Sequence, residues 1–155
     1  MCGKIIFMQK ELEYLIINYT SNDEDYIKEL LENLDTNCKN IVDWLGLTDF
    51  GSKPLITLFC SKECFYQAIL TKNPDEKIYP WVCGYATKKD GKDVVWSLTL
   101  SELRKTQGHE NDTLQNLEKL IIHEFTHICQ FKVKYGTNAA WLHDGMACYF
   151  ANQYA

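Results

Sequence analysis

Residues 123–127 are His-Glu-Phe-Thr-His, two histidines four positions apart with a glutamate beside the first. In an α-helix, side chains at positions i and i+4 lie on one face, so both imidazoles can reach the same metal ion. Glu124 is rotated by about 100° from His123 and can take a proton from a metal-bound water rather than ligate. Zinc lowers the pKa of its bound water to about 7, and a carboxylate beside it completes the activation. The motif predicts a zinc centre with its own general base.

The alternative interpretation is a polar helix face exposed to solvent, because the motif fixes only three positions. The sequence around the motif favours a site. Histidines and a carboxylate in an otherwise apolar stretch are costly to bury unless something pairs with them. The apolar residues that make this segment an amphipathic helix recur at helical spacing, at Leu114, Leu117, Ile121, Phe125 and Ile128.

A third ligand is expected, because catalytic zinc usually has three protein ligands and one open position. The helix should climb roughly 10 Å past His127 before residues 136–138 (Gly-Thr-Asn) turn the chain, and a second helix should then descend by roughly 9 Å to Asp144. If the two helices pack antiparallel, Asp144 arrives level with His127. Gly145, which follows it, is expected to let the helices approach each other.

The segment after the turn carries a further pattern, WLHDGMACY at residues 141–149. Together with HEFTH it resembles the gluzincin metallopeptidases, the thermolysin-like and aminopeptidase-like group, whose pattern is H-E-x-x-H followed by W-L-x-E-G-x-A-x-Y. The resemblance covers the last part of the chain and implies a zincin-like fold that binds Zn²⁺ and hydrolyses a peptide or protein substrate. The family's glutamate ligand falls on Asp144. The other matching positions are Trp141, Leu142, Gly145, Ala147 and Tyr149.

Two departures from the family leave alternatives open. Aspartate replaces glutamate at position 144, and the spacer after His127 is two residues shorter than in the aminopeptidase branch. His143 is therefore the rival third ligand. A zinc-binding structural or interaction module of the same fold that no longer cuts is the alternative function, although an intact Glu124 argues against it. A regulatory protease with one protein target shares the site and differs only in substrate.

The resemblance also implies a side chain that stabilises the reacting carbonyl oxygen, commonly a Tyr or His beyond the zinc helix. His143 and Tyr149 are candidates, together with Tyr135 and Tyr154, and a histidine can serve by donating a hydrogen bond. Family members bind extended peptide on an edge strand above the zinc helix, and residues 94–100 are the candidate strand. His109 is interpreted as a loop residue.

The predicted fold class is α+β, a single zincin-like domain over residues 1–155. A mixed, mostly antiparallel sheet is expected to pack on a long helix and on the C-terminal zinc-binding helix pair. Strands are predicted over 12–20, 54–60, 79–87 and 94–100, with a hairpin turn at 89–92. Helices are predicted from 26 to about 46, over 61–70, from the cap at 111–113 (with Gln115 in a capping box) to about 135, and from 138, with a short turn capped by Ser101.

Composition limits the class of partner. The net charge of −5 and the lack of a basic block exclude a general nucleic-acid binder. No apolar run approaches the length of a membrane span, and the start MCGKIIFMQKELEYL does not resemble a signal peptide. We therefore expect a cytoplasmic protein, with an exported protein whose signal has been removed as the alternative. Seven scattered cysteines indicate free thiols rather than a disulfide framework, and Lys-rich usage with one Arg is typical of an AT-rich bacterial genome.

Overall fold

The computed structural model describes residues 4–133 and 140–153. In chain order the elements are β1 (Met8–Glu11), β2 (Ile16–Tyr19), α1 (Glu24–Trp44), β3 (Leu55–Phe59), α2 (Lys62–Lys72), β4 (Gly84–Lys89), β5 (Lys92–Leu98), α3 (Leu100–Leu103), α4 (Leu114–Val133) and α5 (Ala140–Phe150). A 3₁₀ turn, Ser21–Asp23, precedes α1. The predicted α+β class is confirmed.

The five strands form one sheet in the order β1-β2-β3-β5-β4. The β2–β3 and β3–β5 pairs are parallel, and the β1–β2 and β4–β5 pairs are antiparallel. The sheet is mixed, as expected, but it is not mostly antiparallel, because two of its four pairings are parallel. The reason is that α1 and α2 lie on the connections between the parallel strands, and such crossovers return the chain in its original direction.

The predicted edge strand is wrong, because β5 lies inside the sheet between β3 and β4. The edge is β4, joined to β5 by a tight turn in which Asp90 and Gly91 have φ angles of 52° and 76°. Positive φ at both central residues is the requirement of a two-residue hairpin of type I′, so the predicted turn is confirmed. Helix α4 packs against β4 and β5. The edge strand beside the candidate zinc helix is therefore β4.

The other strand predictions hold with shifted bounds. The strand expected over 12–20 is shortened to β2, because a turn (Leu12 N–H to Leu15 O, 2.8 Å) separates it from β1. The strand β1 was not predicted, since its residues MQKE are mostly exposed and polar. The strand expected over 79–87 begins at Gly84, because Val82 N–H closes a turn on the Tyr79 carbonyl at 3.0 Å.

Helix starts follow the predicted capping chemistry, with two corrections. Ser61 caps α2 by accepting from the backbone N–H of Cys64 at 3.3 Å. Thr99 caps α3 in place of Ser101. At α4, the side chain of Asn116 accepts from the Thr113 backbone N–H at 2.8 Å, in place of the expected Gln115. Leu114 is the first helical residue, so Asn116 is the third, the position from which a side chain can reach the backbone of the cap residue Thr113.

Helices cover both faces of the sheet. On one face Phe59 contacts both Trp96 and Phe65 of α2, with the Phe59 and Phe65 ring centroids 6.1 Å apart. On the other face Gly84 lies against α4. Helix α1 packs along α4 and completes this second layer. The core is the apolar interior between these layers, and it fixes α4 against the sheet.

Among the cysteines that the structure describes, all but Cys64 are free thiols, as expected. Cys64 takes part in a disulfide bond, so the prediction is wrong at that position. The free ones are Cys38, Cys60, Cys83, Cys129 and Cys148. In the parts of the chain that the structure describes, no helix is long and apolar enough to cross a bilayer.

Candidate metal centre

Three potential ligand atoms converge between α4 and α5. The Nε2 atoms of His123 and His127 are 3.2 Å apart. The Oδ1 atom of Asp144 lies 3.5 Å from Nε2 of His127. One ligand atom from each of the three residues lies within 4.8 Å of the others, which suits a single ion. Two imidazoles and a carboxylate are the donor set that zinc takes in hydrolytic sites.

The helix pair meets in the antiparallel register expected from the rise per residue. Residues 130, 127 and 123 of α4 meet residues 143, 144 and 148 of α5 in that order. Asp144 is therefore level with His127. The turn predicted at residues 136–138, and the helix start predicted at 138, lie outside the described residues. Within those residues, the group of converging ligand atoms contains Asp144 and not the rival His143.

Two glutamines contact the Nδ1 atoms of the two histidine rings. Gln153 Oε1 accepts from Nδ1 of His123 at 2.8 Å, and Gln130 Oε1 accepts from Nδ1 of His127 at 2.9 Å. The amide nitrogen of Gln130 donates to the His143 carbonyl at 2.9 Å, which fixes the direction of that amide. Protons on Nδ1 leave the Nε2 lone pairs directed toward Asp144. Such outer contacts fix the tautomer and orientation of metal-ligating histidines.

Neither glutamine was predicted from the sequence. For Gln130 a signal existed in the sequence, because it lies one turn after His127 on the same predicted helix. The structure leaves it 2 % exposed, so its amide needs polar partners. For Gln153 no local signal existed. It follows α5 by three residues, and only the packing of α5 on α4 brings it to His123.

Glu124 lies between the histidines and the edge strand. A Cβ atom added to Gly84 would be 3.0 Å from Oε1 of Glu124 and 2.9 Å from Cδ1 of Leu120, so a side chain at this position would require Leu120 or Glu124 to shift. Burial, and secondarily the negative charge of Asp144, raise the pKa of Glu124 to about 7. A carboxyl group with a pKa near neutral is suited to take and return a proton at physiological pH.

His123 is disposed toward its neutral form. Burial is the largest cause that lowers the pKa of His123, and the neighbouring His127 lowers it further. The contact with Gln153 and the charge of Asp144 act in the opposite direction. A metal ion binds the neutral imidazole, so a lowered pKa reduces competition from protons.

Gly145 does not serve the close approach of helices that was expected of it. A Cβ atom added there would meet nothing within 4 Å. The residue buried against α4 on this helix is Ala147, which is fully inaccessible. Gly145 instead leaves open space next to Asp144, whose side chain is 68 % exposed. The cluster is therefore accessible to a substrate from the side of α5.

The candidates for carbonyl-oxygen stabilisation are dispersed. His143 is held in the helix interface through its backbone carbonyl. Tyr149 is exposed and lines a cavity of about 290 Å³ with Asn37, Asn40 and Trp44 of α1. Tyr135 and Tyr154 lie outside the described residues. His143 does not belong to the converging group of ligand atoms among the described residues.

His109 is in the predicted loop but is not an isolated residue. Its Nδ1 lies 2.6 Å from Oδ2 of Asp112, and its Nε2 lies 3.5 Å from Sγ of Cys83. These are the residue types of a cysteine hydrolase. However, burial, followed by the charge of Glu124, raises the pKa of Cys83 to about 12. The thiol stays protonated at neutral pH, so this trio lacks a nucleophile.

No family model, curated protein or solved structure matches the chain. The functional argument therefore depends on the residues and geometry described above.

Proposed function

We propose that this protein is a zinc-dependent peptidase in which His123, His127 and Asp144 bind Zn²⁺ and Glu124 is the general base. The observation that carries the proposal is the convergence of two Nε2 atoms and one carboxylate oxygen, with both Nδ1 atoms held by glutamine oxygens. On a solvent-exposed polar helix face, the contacts of Gln153 and Gln130 with the histidine Nδ1 atoms would serve no purpose.

A zinc ion bound by these residues would supply a polarised carbonyl and an acidified water. Glu124 would take a proton from the attacking water as the water oxygen bonds to the carbonyl carbon of the peptide. The same carboxyl group then returns the proton to the nitrogen as the C–N bond breaks. In the metal-free protein the pKa of Glu124 is raised to about 7, and a bound zinc ion would lower it toward the carboxylate form that accepts a proton.

The gluzincin class is part of the proposal. Its support is the joint occurrence of HEFTH on α4 and WLHDGMACY on α5, with the two helices in antiparallel contact at Asp144. In this proposal the peptide-binding edge is β4 and not residues 94–100, which lie inside the sheet. This strand pairs only with β5 among the described strands and approaches Glu124 at Gly84. An extended peptide can add to such an edge through backbone hydrogen bonds.

The second candidate function is a zinc-binding module that no longer cuts. It would use the same three ligands and the same two glutamines. The position of Glu124 favours the enzyme, because a structural zinc site has no use for a buried carboxyl group that no described basic side chain pairs with. A structural site also tends to be closed, whereas Asp144 is exposed.

The decisive experiment measures zinc content and cleavage together. The wild type, Asp144→Ala and Glu124→Gln are purified, their zinc is quantified by mass spectrometry, and each is incubated with a peptide library. We expect about one zinc per wild-type chain, loss of zinc in Asp144→Ala, and retained zinc without cleavage in Glu124→Gln. Zinc in the wild type without any cleavage would support the non-cutting module. Failure of the wild type to bind supplied zinc would overturn both.

A further inference from the structure

A cavity of about 400 Å³ adjoins the metal centre on the side of the α4 N-terminus. Gln153, which contacts His123, is also one of its lining residues, so the two sites share a wall. Lys119 lines it one turn before His123, at positions i and i+4 of the same helix, about 6 Å apart along the axis. The other lining residues are Gly108, His109, Asp112, Asn116, Leu120 and Asn152.

The cavity presents hydrogen-bond donors whose acceptor ends are already engaged. Asn116 Oδ1 accepts from both the backbone N–H and the hydroxyl of Thr113, each at 2.8 Å, which leaves its NH₂ group. Gln153 Oε1 is engaged by His123, which likewise leaves its NH₂ group. The side-chain ammonium of Lys119 forms no hydrogen bond or ion pair with any residue in the described part of the chain. One ammonium group and two amide NH₂ groups are suited to a ligand that carries several hydrogen-bond acceptor atoms.

The acidic group in the cavity wall is already engaged within the wall. Asp112 is the one carboxylate among the lining residues, and its Oδ2 atom lies 2.6 Å from Nδ1 of His109. The Nε atom of Arg104 donates to the backbone carbonyl of Asp112 at 2.8 Å and adds positive charge beside it. Asp112 is thus held by contacts within the wall, whereas the Lys119 ammonium has no partner in the described chain and can pair with an anion from outside.

We infer that this cavity binds a carboxylate of the peptide substrate, carried by the residue next to the scissile bond. The inference rests on the proposed peptidase function. A peptide carbonyl at the metal would place the neighbouring residue within reach of Lys119, because the two sites are one helical turn apart. The carboxylate has two possible sources, an acidic side chain or the free C-terminus of the peptide, and both present the same acceptor atoms.

Three small probes separate the two sources. N-acetylglutamate α-amide carries only the side-chain carboxylate, N-acetylglutamine carries only the terminal one, and N-acetylglutamine α-amide carries neither. Binding is measured by NMR on metal-free protein treated with chelator, so that a carboxylate cannot bind through the metal. At least one charged probe is expected to bind about tenfold tighter than the neutral one, as for a charge-assisted hydrogen bond, and to shift the side-chain NH₂ signals of Asn116 and Gln153.

Variants at Lys119 test the source of the preference. Lys119→Met is expected to lose the tenfold preference, and Lys119→Arg is expected to keep most of it. Lys105→Met is the matched control, since that lysine pairs with Glu102 away from the cavity. Equal binding of all three probes to the wild type would overturn the inference without the need for any variant. An unchanged preference in Lys119→Met would overturn it as well.

A cleavage assay separates failure of this inference from failure of the proposed function. Zinc-loaded wild type is given matched peptides with Glu or Gln beside the scissile bond, and with a free or an amidated C-terminus. Cleavage without preference for either carboxylate would overturn the cavity assignment and leave the peptidase intact. Probe binding without cleavage of any peptide would overturn the peptidase and the role of the cavity in substrate binding, and would leave a carboxylate site.

Discussion

Helix α4 carries two polar clusters that differ in how their charges are balanced. Near its C-terminal end, Lys132 and Lys88 both pair with Asp93, at 3.3 Å and 2.7 Å. Earlier in the helix, His123 and His127 meet Asp144, and Glu124 lies beside them. The first cluster brings opposite charges together, whereas the second directs acceptor atoms at one point.

The cluster around Asp93 is closed. The Asp93 side chain is 4 % exposed, and Lys132 also donates to the Ser52 carbonyl at 3.1 Å and lies 4.5 Å from the Phe50 ring centroid. The histidine cluster lacks such closure. No Lys or Arg in the described chain pairs with Glu124, whose pKa is raised to about 7 by burial and by Asp144. In a structural cluster the charged groups pair with one another, whereas in a functional site some groups are left for a ligand to pair with.

The largest expected effect is on cleavage. Glu124→Gln removes the proton acceptor and keeps the shape of the side chain, so kcat should fall by about 10²- to 10⁴-fold, as for general-base catalysis. The measurement is kcat on a cleaved library peptide, with zinc content determined in parallel. Glu118→Gln, on the same helix but bound to Asn33 and Asn37 of α1, is the control and should retain activity. A loss of only a few-fold in Glu124→Gln would show that another group is the base.

The closed cluster should be the more important one for stability. Asp93→Ala leaves Lys132, whose side chain is 15 % exposed, without its carboxylate, and should reduce the free energy of unfolding by about 3–5 kcal/mol. Denaturant titration checks this, and zinc binding should remain one to one. Asp43→Ala breaks the exposed pair with Lys39 and should have no measurable effect. Equal, small effects of both changes would remove the distinction between the clusters.

The pH dependence of stability should differ between the wild type and Glu124→Gln when both are metal-free. The folded protein holds the Glu124 proton up to a pH of about 7, whereas the unfolded chain releases it near the model value of 4.5. The stability that this proton contributes is present below 4.5 and lost as the pH rises through 7, a difference of about 3 kcal/mol.

Glu124→Gln lacks this titration, so it should match the wild type at pH 4 and exceed its free energy of unfolding at pH 8 by about that amount. Chemical unfolding at the two pH values, with chelator present, is the measurement. A constant offset between the two proteins would mean that the Glu124 carboxyl group is not buried as described.

The smallest effect concerns the contacts behind the histidines. Gln153→Ala removes the acceptor from Nδ1 of His123, so the zinc affinity should fall by about 10- to 100-fold, as for other outer contacts of metal ligands. A competition titration with a chromogenic chelator measures this. Gln67→Ala, an exposed amide on α2, is the control and should leave the affinity unchanged. An unchanged affinity in Gln153→Ala would show that the ring of His123 is held by α4 alone.

Much of the fold could be predicted wherever the signal is local. Helix α1 has apolar residues at helical spacing, and the Asp90-Gly91 turn has the residues that its φ angles require. The sequence predicted neither β1 nor the order of the strands. The alternation in residues 94–98 is the same for an edge strand and an interior one, since pairing on the second edge leaves no mark in the strand itself.

By itself the sequence determined the pairing of His123 with His127 and the neighbouring Glu124, because helical periodicity alone places these side chains. It also favoured Asp144, since the rise of an α-helix sets its level along the pair. The tertiary structure decided the rest: Gln153 behind His123, Gln130 behind His127 and β4 beside Glu124. These contacts join segments through the packing of helices on each other and on the sheet, and no local pattern in the chain encodes such packing.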